Sequence, residues 1–342
     1  MRMPPRSVRR IVGPAVIFLA GVGGVLLLPV LAVTAAVASV WLPGRWRGLR
    51  LLGFVLVWLA VEMVALAAAL ALWVGSGFGL LLRTRVFRRA HYAVLRLVLD
   101  TVVDAAQVLF RLRLETDGVS WSPVDDGVPG SENAMLVLSR HAGPGDSVLL
   151  LHTLMNRDHR RQPRIVLKDT LQLDPMIDVY LHRLPARFID PTPTVGDDAE
   201  AIIGTLAGGM GEEDALLIFP EGGNFSPKRR LRAILRLRQR GHAAHADAAE
   251  RMWHVLPPRP GGVIAAIEAA PYVDVVFVAH TGLEHLCTVA DIWRELPVDK
   301  TLHLRWWFVP AADVPAGHAA QIVWLYERWA DIDGWIAATK AP

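Results

Sequence analysis

From Ile11 to Gly44 no residue is charged, and from Leu51 to Leu82 the single charge is Glu62. Either run exceeds the roughly 20 apolar residues that cross a hydrocarbon core about 30 Å thick. A cleaved signal peptide has a shorter apolar core and no second long run behind it, so the pattern predicts two membrane segments. Pro14 and Pro29 are positioned to kink or bound the first. Arginines stand before the first run (Arg2, Arg6, Arg9, Arg10), between the runs (Arg45, Arg47, Arg50) and after the second (Arg83, Arg85, Arg88, Arg89). Their distribution favours cytoplasmic outer ends joined by a short external turn at 43–50. A re-entrant hairpin that never crosses fits the same pattern. Glu62, a lone carboxylate, is expected to protonate or to reach toward the headgroups.

Beyond residue 90 the pattern changes. Arg96, Asp100, Asp104, Gln107 and Arg111 recur at spacings of three and four among Leu, Val and Phe, which predicts an amphipathic helix over 90–113. After a Ser-, Gly-, Asp- and Pro-rich loop at 116–133, short apolar runs fall at 134–139, 164–168, 186–190, 215–220, 274–280 and 302–309. Helical stretches fall at 146–156, 197–210, 228–240, 261–270 and 318–337, and 241–260 has no clear type. Alternation of this kind predicts an α/β fold, a mostly parallel mixed sheet flanked by helices and preceded by the membrane-embedded helical hairpin. The organisation expected is membrane segments over 1–89, an amphipathic connecting helix over 90–115 and a catalytic α/β domain over 116–342.

Composition narrows the classes. The chain of 342 residues is 53% hydrophobic and 20% charged, which excludes a disordered or fibrous protein. Its single cysteine, Cys287, excludes an intrachain disulfide and any cysteine-based metal site. The net charge is +3, and the tryptophans cluster near apolar segments instead of interleaving with basic residues, so no nucleic-acid partner is expected. His242 and His245 stand three apart without a third ligand in view, so no metal is expected either. Lys228 to Arg240 holds seven basic residues in thirteen. Such a run is commonly a solvated face; with Leu231, Ile234 and Leu235 on one side it also suits a surface of anionic lipid.

Two strand ends carry candidate chemistry, since ligands gather at the carboxyl ends of strands in open α/β sheets. The first is Ser139-Arg140-His141-Ala142-Gly143-Pro144-Gly145-Asp146. Here Asp146 can accept from one ring nitrogen of His141 and leave the other to take a proton; alternatively, Asp146 caps the following helix and His141 is a surface residue. The second is Phe219-Pro220-Glu221-Gly222-Gly223-Asn224. Its glycines permit close approach of a ligand, and Glu221 can order the loop or bind a substrate hydroxyl.

Together, His-x4-Asp after one strand and Phe-Pro-Glu-Gly 80 residues later, behind an apolar N-terminus, resemble the glycerolipid acyltransferase family of 1-acylglycerol-3-phosphate acyltransferases. Lys168 and Arg187-Phe188-Ile189-Asp190 resemble the family's middle block. Val255-Leu256-Pro257-Pro258-Arg259-Pro260-Gly261-Gly262 resembles a stretch of the subgroup that includes lysocardiolipin-type acyltransferases. The resemblance covers roughly residues 90–310. It implies a membrane-bound enzyme that moves an acyl group from acyl-CoA or acyl-carrier protein to a lysolipid acceptor, foremost 1-acylglycerol 3-phosphate, without cofactor or metal. The catalytic domain would then lie on the cytoplasmic side of the cell membrane, in contact with membrane lipids. His141 is the implied base and Asp146 its orienting carboxylate; backbone N–H groups near Gly143 and Gly145 are candidate oxyanion donors.

Two departures bear on the acceptor. The family's Ile-Asp-Arg is Ile189-Asp190-Pro191 here, and its Glu-Gly-Thr-Arg is Glu221-Gly222-Gly223-Asn224. The absent arginines are those the resemblance assigns to a phosphate. Substrate binding therefore falls to Glu221, Gly222 and a substitute cation among Lys168, Arg187, Arg229 and Arg259, with Lys168 and Arg259 the first choices. If none serves, the acceptor is another lysolipid or a glycolipid. A hydrolase would show a Gly-x-Ser-x-Gly elbow, which is not visible. A degenerate lipid-binding protein is expected to have lost His141 or Asp146, and both remain.

Overall fold

The computed structural model describes residues 3–41, 46–117, 133–143, 145–156, 160–189, 199–282, 293 and 299–340. Asp190, Pro191 and Cys287 lie outside the described residues, as do most of the 116–133 loop and part of the 43–50 turn.

The first apolar run forms two helices, α1 (Arg6–Leu26) and α2 (Leu28–Trp41). Pro29 stands at the second position of α2, where its missing N–H breaks no helical bond, while Pro14 lies inside α1. The second run forms α3 (Arg47–Gly75). Helices α1 and α3 are long and apolar enough to cross a membrane, and they approach closely: a Cβ at Gly21 would overlap the Met63 sulfur.

This hairpin is fastened to the rest of the chain. Arg9 Nη2 donates to Asp178 Oδ1 at 2.9 Å and to Gln172 Oε1 at 2.8 Å. On α3 the small residues Ala65 and Ala69 admit the helix α6 (Pro175–Leu181), whose Tyr180 hydroxyl donates to the Ala65 carbonyl at 2.8 Å. Glu62 is 1% exposed and meets Asp174, the residue that caps α6. The amphipathic helix α4 (Arg85–Phe110) packs along α3, where Arg50 Nη1 reaches the Leu109 carbonyl at 2.7 Å and Phe54 meets Phe110. Its apolar face turns to protein on both sides.

Seven strands form one sheet in the order β1-β7-β6-β2-β5-β3-β4. They are β1 (Arg113–Asp117), β2 (Met135–Ser139), β3 (Gln162–Lys168), β4 (Ala186–Ile189), β5 (Asp214–Ile218), β6 (Asp274–Thr281) and β7 (Thr301–Val309). Strands β2 to β6 run parallel to one another, whereas β7 is antiparallel to β6 and parallel to β1. The six apolar runs are thus β2 to β7, and the sheet is mostly parallel as expected. β1 escaped notice because RLETD is short and charged.

Alternation along the central strands divides the core. Leu136, Leu138, Leu216, Val275 and Phe277 face one layer with α7 (Ala199–Ala207), α10 (Pro260–Ala269) and α11 (His318–Lys340). Met135, Val137, Leu217, Val276 and Val278 face the other, with Tyr92 of α4 and Leu150 of α5 (Asp146–Met155). Strands covered on both faces carry apolar side chains at every position, and each such Leu or Val gives about 1.5–3 kcal/mol by leaving water. The stretch 241–260 contains α9 (Ala243–Arg251), which follows α8 (Pro227–Gln239). Its Ala-rich sequence lacks the periodic apolar face that would reveal it.

Candidate active site

The carboxyl ends of β2, β5 and β3 lie side by side, in register Leu138 to Ile218 and Ile165 to Leu217. His141 follows β2 and Glu221 follows β5, so the two motifs meet at one edge. The Phe225 N–H donates to the His141 carbonyl at 2.7 Å, tying the two loops together. The Phe219 ring stacks on the His141 imidazole with centroids 4.5 Å apart, which holds the ring in one plane.

His141 Nδ1 lies 3.0 Å from Asp146 Oδ2. The same oxygen accepts from the Ala142 N–H at 2.5 Å and the Gly143 N–H at 2.7 Å. A carboxylate already bonded to two N–H groups can only accept, so Nδ1 carries the proton and Nε2 is left as a base. Asp146 is not the helix cap: Gly145 holds that position, and the Asp146 side chain folds back over its own loop. The Gly143 N–H, expected as an oxyanion donor, is committed to Asp146 instead.

Two residues that the sequence reading passed over complete the floor of the site. Arg140 is fully buried, with Nη1 donating to the His280 carbonyl at 2.8 Å and Nη2 to the His254 carbonyl at 3.1 Å. His280, at the end of β6, lies with Nε2 3.5 Å from Asp146 Oδ2. Burial pushes the Asp146 pKa up, but the charge of His280, the bond from His141 and the Gly143 N–H outweigh it and leave the pKa below its ordinary value. Asp146 thus stays ionised beneath the imidazole. A histidine at a strand end was a usable signal for His280; a buried arginine has no local one.

Glu221 is 2% exposed, and neither of its carboxylate oxygens meets a donor at hydrogen-bond geometry among the described residues. Burial pushes its pKa up to about 8, against the pull of Arg140 and of the nearby Leu256 and His141 N–H groups. The native state therefore holds a proton that the unfolded chain has released, and stability falls as pH rises from the ordinary carboxylate range to about 8. Glu221→Gln should lose this dependence. Thermal melting from pH 5 to 9 should show wild type weakening relative to the variant, by on the order of 2–4 kcal/mol at the alkaline end. Parallel curves for the two proteins would exclude the buried proton.

The candidate cations divide. Gly222 has φ +65°, and a Cβ there would lie 2.8 Å from the Arg259 guanidinium carbon. A Cβ on Gly223 would lie 3.3 Å from Arg229 Nη1, which donates to the Asn224 carbonyl at 2.9 Å. The Arg259 N–H donates to the Pro220 carbonyl at 2.9 Å. Arg229 and Arg259 therefore flank the Glu221-Gly222-Gly223 loop. Lys168 is exposed at the end of β3, next to β5 and two strands from β2, about 10 Å from the latter. Arg187 lies on the edge strand β4, exposed, with Nη1 on the Ala186 carbonyl. Neither is hydrogen-bonded to the loop among the described residues.

Among the described residues no cluster of His, Cys, Asp and Glu could hold a metal ion. A cavity of about 630 Å³ lies at the opposite, amino edge of the sheet, between Arg85, Arg89, Glu212 and Tyr272.

A search of curated proteins finds no match. Among solved structures, the 1-acyl-sn-glycerophosphate (LPA) acyltransferase PlsC from Thermotoga maritima aligns with 82% of this chain and 100% of its own, at 15% identity and a TM-score of 0.47. Residues 124–280, which include β2 to β6 and with them His141, Asp146 and Glu221, match the model of the acyltransferase family.

Proposed function

We propose that this chain is a membrane-associated glycerolipid acyltransferase that passes an acyl group from a thioester, acyl-CoA or acyl-carrier protein, to the free hydroxyl of 1-acylglycerol 3-phosphate. The observation that carries the reading is the 3.0 Å His141–Asp146 contact at a strand end inside the segment that matches the family. Nε2 takes the proton of the acceptor hydroxyl as its oxygen attacks the thioester carbonyl. The tetrahedral oxyanion collapses, the C–S bond breaks, and the departing thiolate takes the proton back from His141. No acyl-enzyme forms. The Gly145 N–H and the first turn of α5 are the remaining candidates for oxyanion donors. A general base supplies about 10²–10⁴-fold, and positioning of the two substrates must supply the rest.

Two apolar N-terminal helices weakly support membrane association. Cytoplasmic placement of the domain follows from where acyl thioesters are made. Because α3 is bonded to α4, α6 and Arg183 from Arg50 to Ala69, the hairpin is read as re-entrant, with the start of α3 on the domain's own side instead of in an external turn. The division into membrane segments, connecting helix and catalytic domain belongs to the same proposal. So does the lysocardiolipin-type subgroup, which rests on the 255–262 stretch.

Arg229 and Arg259 are the proposed substitutes for the arginines missing after Asp190 and Gly223, because both flank the Gly222–Gly223 turn. A glycolipid or another lysolipid is the alternative acceptor. Purified protein, labelled acyl-CoA and a panel of lysolipids, with products read by mass, should yield phosphatidic acid from 1-acylglycerol 3-phosphate. Arg229→Ala and Arg259→Ala should each raise the KM for that acceptor about 10–100-fold, the loss of a charge-assisted bond, and leave the donor KM unchanged. No product from any phosphate-bearing acceptor would reject it in favour of an uncharged one.

A further inference from the structure

Helix α8 begins at the site. Ser226 caps it, accepting from the Arg229 N–H at 3.3 Å, and the preceding Phe225 is bonded to His141. Arg230 and Ile234 are buried beneath the helix. Its outer side carries two stripes. Leu231 and Leu235, 58% and 57% exposed, lie one turn apart on one flank. Lys228, Arg232 and Arg236 crown the other, and Arg236 and Arg240 lie close enough to Arg259 to repel its charge. Arg238 is neutralised by Asp247 and Glu250; among the described residues no ion pair involves Lys228, Arg232 or Arg240. Trp253 is 67% exposed, and the Arg230 guanidinium of α8 lies over its ring at 4.7 Å. A merely solvated charge run has no use for this crest of two leucines and a pinned indole, whereas a bilayer interface takes both halves: apolar side chains sink among the acyl chains while guanidinium groups stay with the phosphates.

A second observation points to the same edge. Helix α4 ends at Phe110, whose carbonyl accepts from the Asp299 N–H at 3.1 Å, and β1 and β7 start where β6 ends. The start of α3, bonded to Leu109, is therefore on the sheet's carboxyl edge, where α8 also starts. Next to Lys168, the exposed Leu171 and Leu173 add to the apolar rim.

We propose that α8 and Trp253 form a second membrane contact, separate from the hairpin, which docks on an anionic bilayer surface and holds the mouth of the site among phosphate headgroups. This rests on the reading that the site works on lipid, but the contact can be tested without turnover. In full-length protein carrying Cys287→Ser and Leu235→Cys, a nitroxide at position 235 reports its surroundings after reconstitution into vesicles. In phosphatidylcholine–phosphatidylglycerol vesicles the label should gain collisions with oxygen and lose them with a water-soluble nickel complex. In phosphatidylcholine alone it should remain aqueous. Lys228→Glu with Arg232→Glu should return it to water, weakening docking more than about 25-fold at low salt if each basic residue contributes about fivefold. A label at the exposed position of Glu327→Cys on α11 is the aqueous standard. A label at 235 as open to nickel as that standard in the anionic vesicles would overturn the proposal. On a His141→Ala background the probe should read the same, so a failed acyltransferase assay and a failed membrane contact remain distinct results.

Discussion

Replacing His141 by alanine should lower acyl transfer by about 10²–10⁴-fold and leave the fold intact. The side chain is 18% exposed, and its contacts are a stacked Phe219 ring and one bond to Asp146, so its removal opens little of the core. The His141 carbonyl that ties the loops together is backbone and survives the substitution. Initial rates with a labelled acyl thioester, together with an unchanged melting temperature, would establish the role. Turnover near wild type with a normal fold would sink the proposed chemistry.

Asp146 should behave differently, because one of its oxygens does four things. Oδ2 meets His141, His280 and two backbone N–H groups, while among the described residues Oδ1 has no hydrogen-bond partner. Asp146→Ala takes the carboxylate acceptor away from the buried Ala142 and Gly143 N–H groups, at about 1–3 kcal/mol each. A total loss of about 2–5 kcal/mol should accompany loss of activity. Asp146→Asn can keep a carbonyl oxygen where Oδ2 stands, so both N–H bonds and the ring's tautomer survive. It removes only the negative charge opposite the protonated imidazole. The asparagine variant should fold nearly as well as wild type and lose about 10–100-fold in rate, equivalent to about 1.4–2.8 kcal/mol at the barrier. Since the Asp146 pKa is held below its ordinary value, wild type draws stability from the carboxylate above the unfolded pKa and gives it up as pH falls toward the folded one. The asparagine protein should lack that acid-side loss. Urea melts of the three proteins at neutral and acid pH check both statements; equal stability of the alanine variant would mean the loop does not need the carboxylate.

Strands such as β2, β5 and β6 were legible in the sequence because burial on both faces leaves an unbroken apolar run. Strand direction was not, so the reversal of β7 against β6 could not be read from its residues. Helix α6 hid among polar and apolar residues because it packs on α3, a partner remote in the chain. In the site, the His141–Asp146 pair is local and its spacing betrays it. The floor is not: Arg140 and His280 come together only when β2 and β6 pair. The choice among four basic residues turned on the same difference. Lys168 and Arg259 were equal candidates by motif, but Lys168, though at the end of the strand next to β5, is exposed and points no hydrogen bond at the loop among the described residues, whereas the backbone bond from Arg259 to Pro220 brings the second to it.

The closing of the sheet has a consequence for biosynthesis. Among the described strands β1 is an edge strand paired with β7 alone, so Arg113–Asp117 must wait for Thr301–Val309 to emerge from the ribosome. At about 5–20 residues per second that delay is about 10–40 s. For most of it β6 is itself unmade; once Thr281 has emerged, its open edge waits only for the chain to reach Val309, about 1–6 s, and the layer containing Phe277 then still lacks Trp324 and Trp329 of α11. The hairpin and α4 are by then already made. The nascent chain thus makes its apolar hairpin before its last core layer, so under the proposed membrane association the unfinished edge of β6 spends its exposed interval tethered instead of free to pair with other chains.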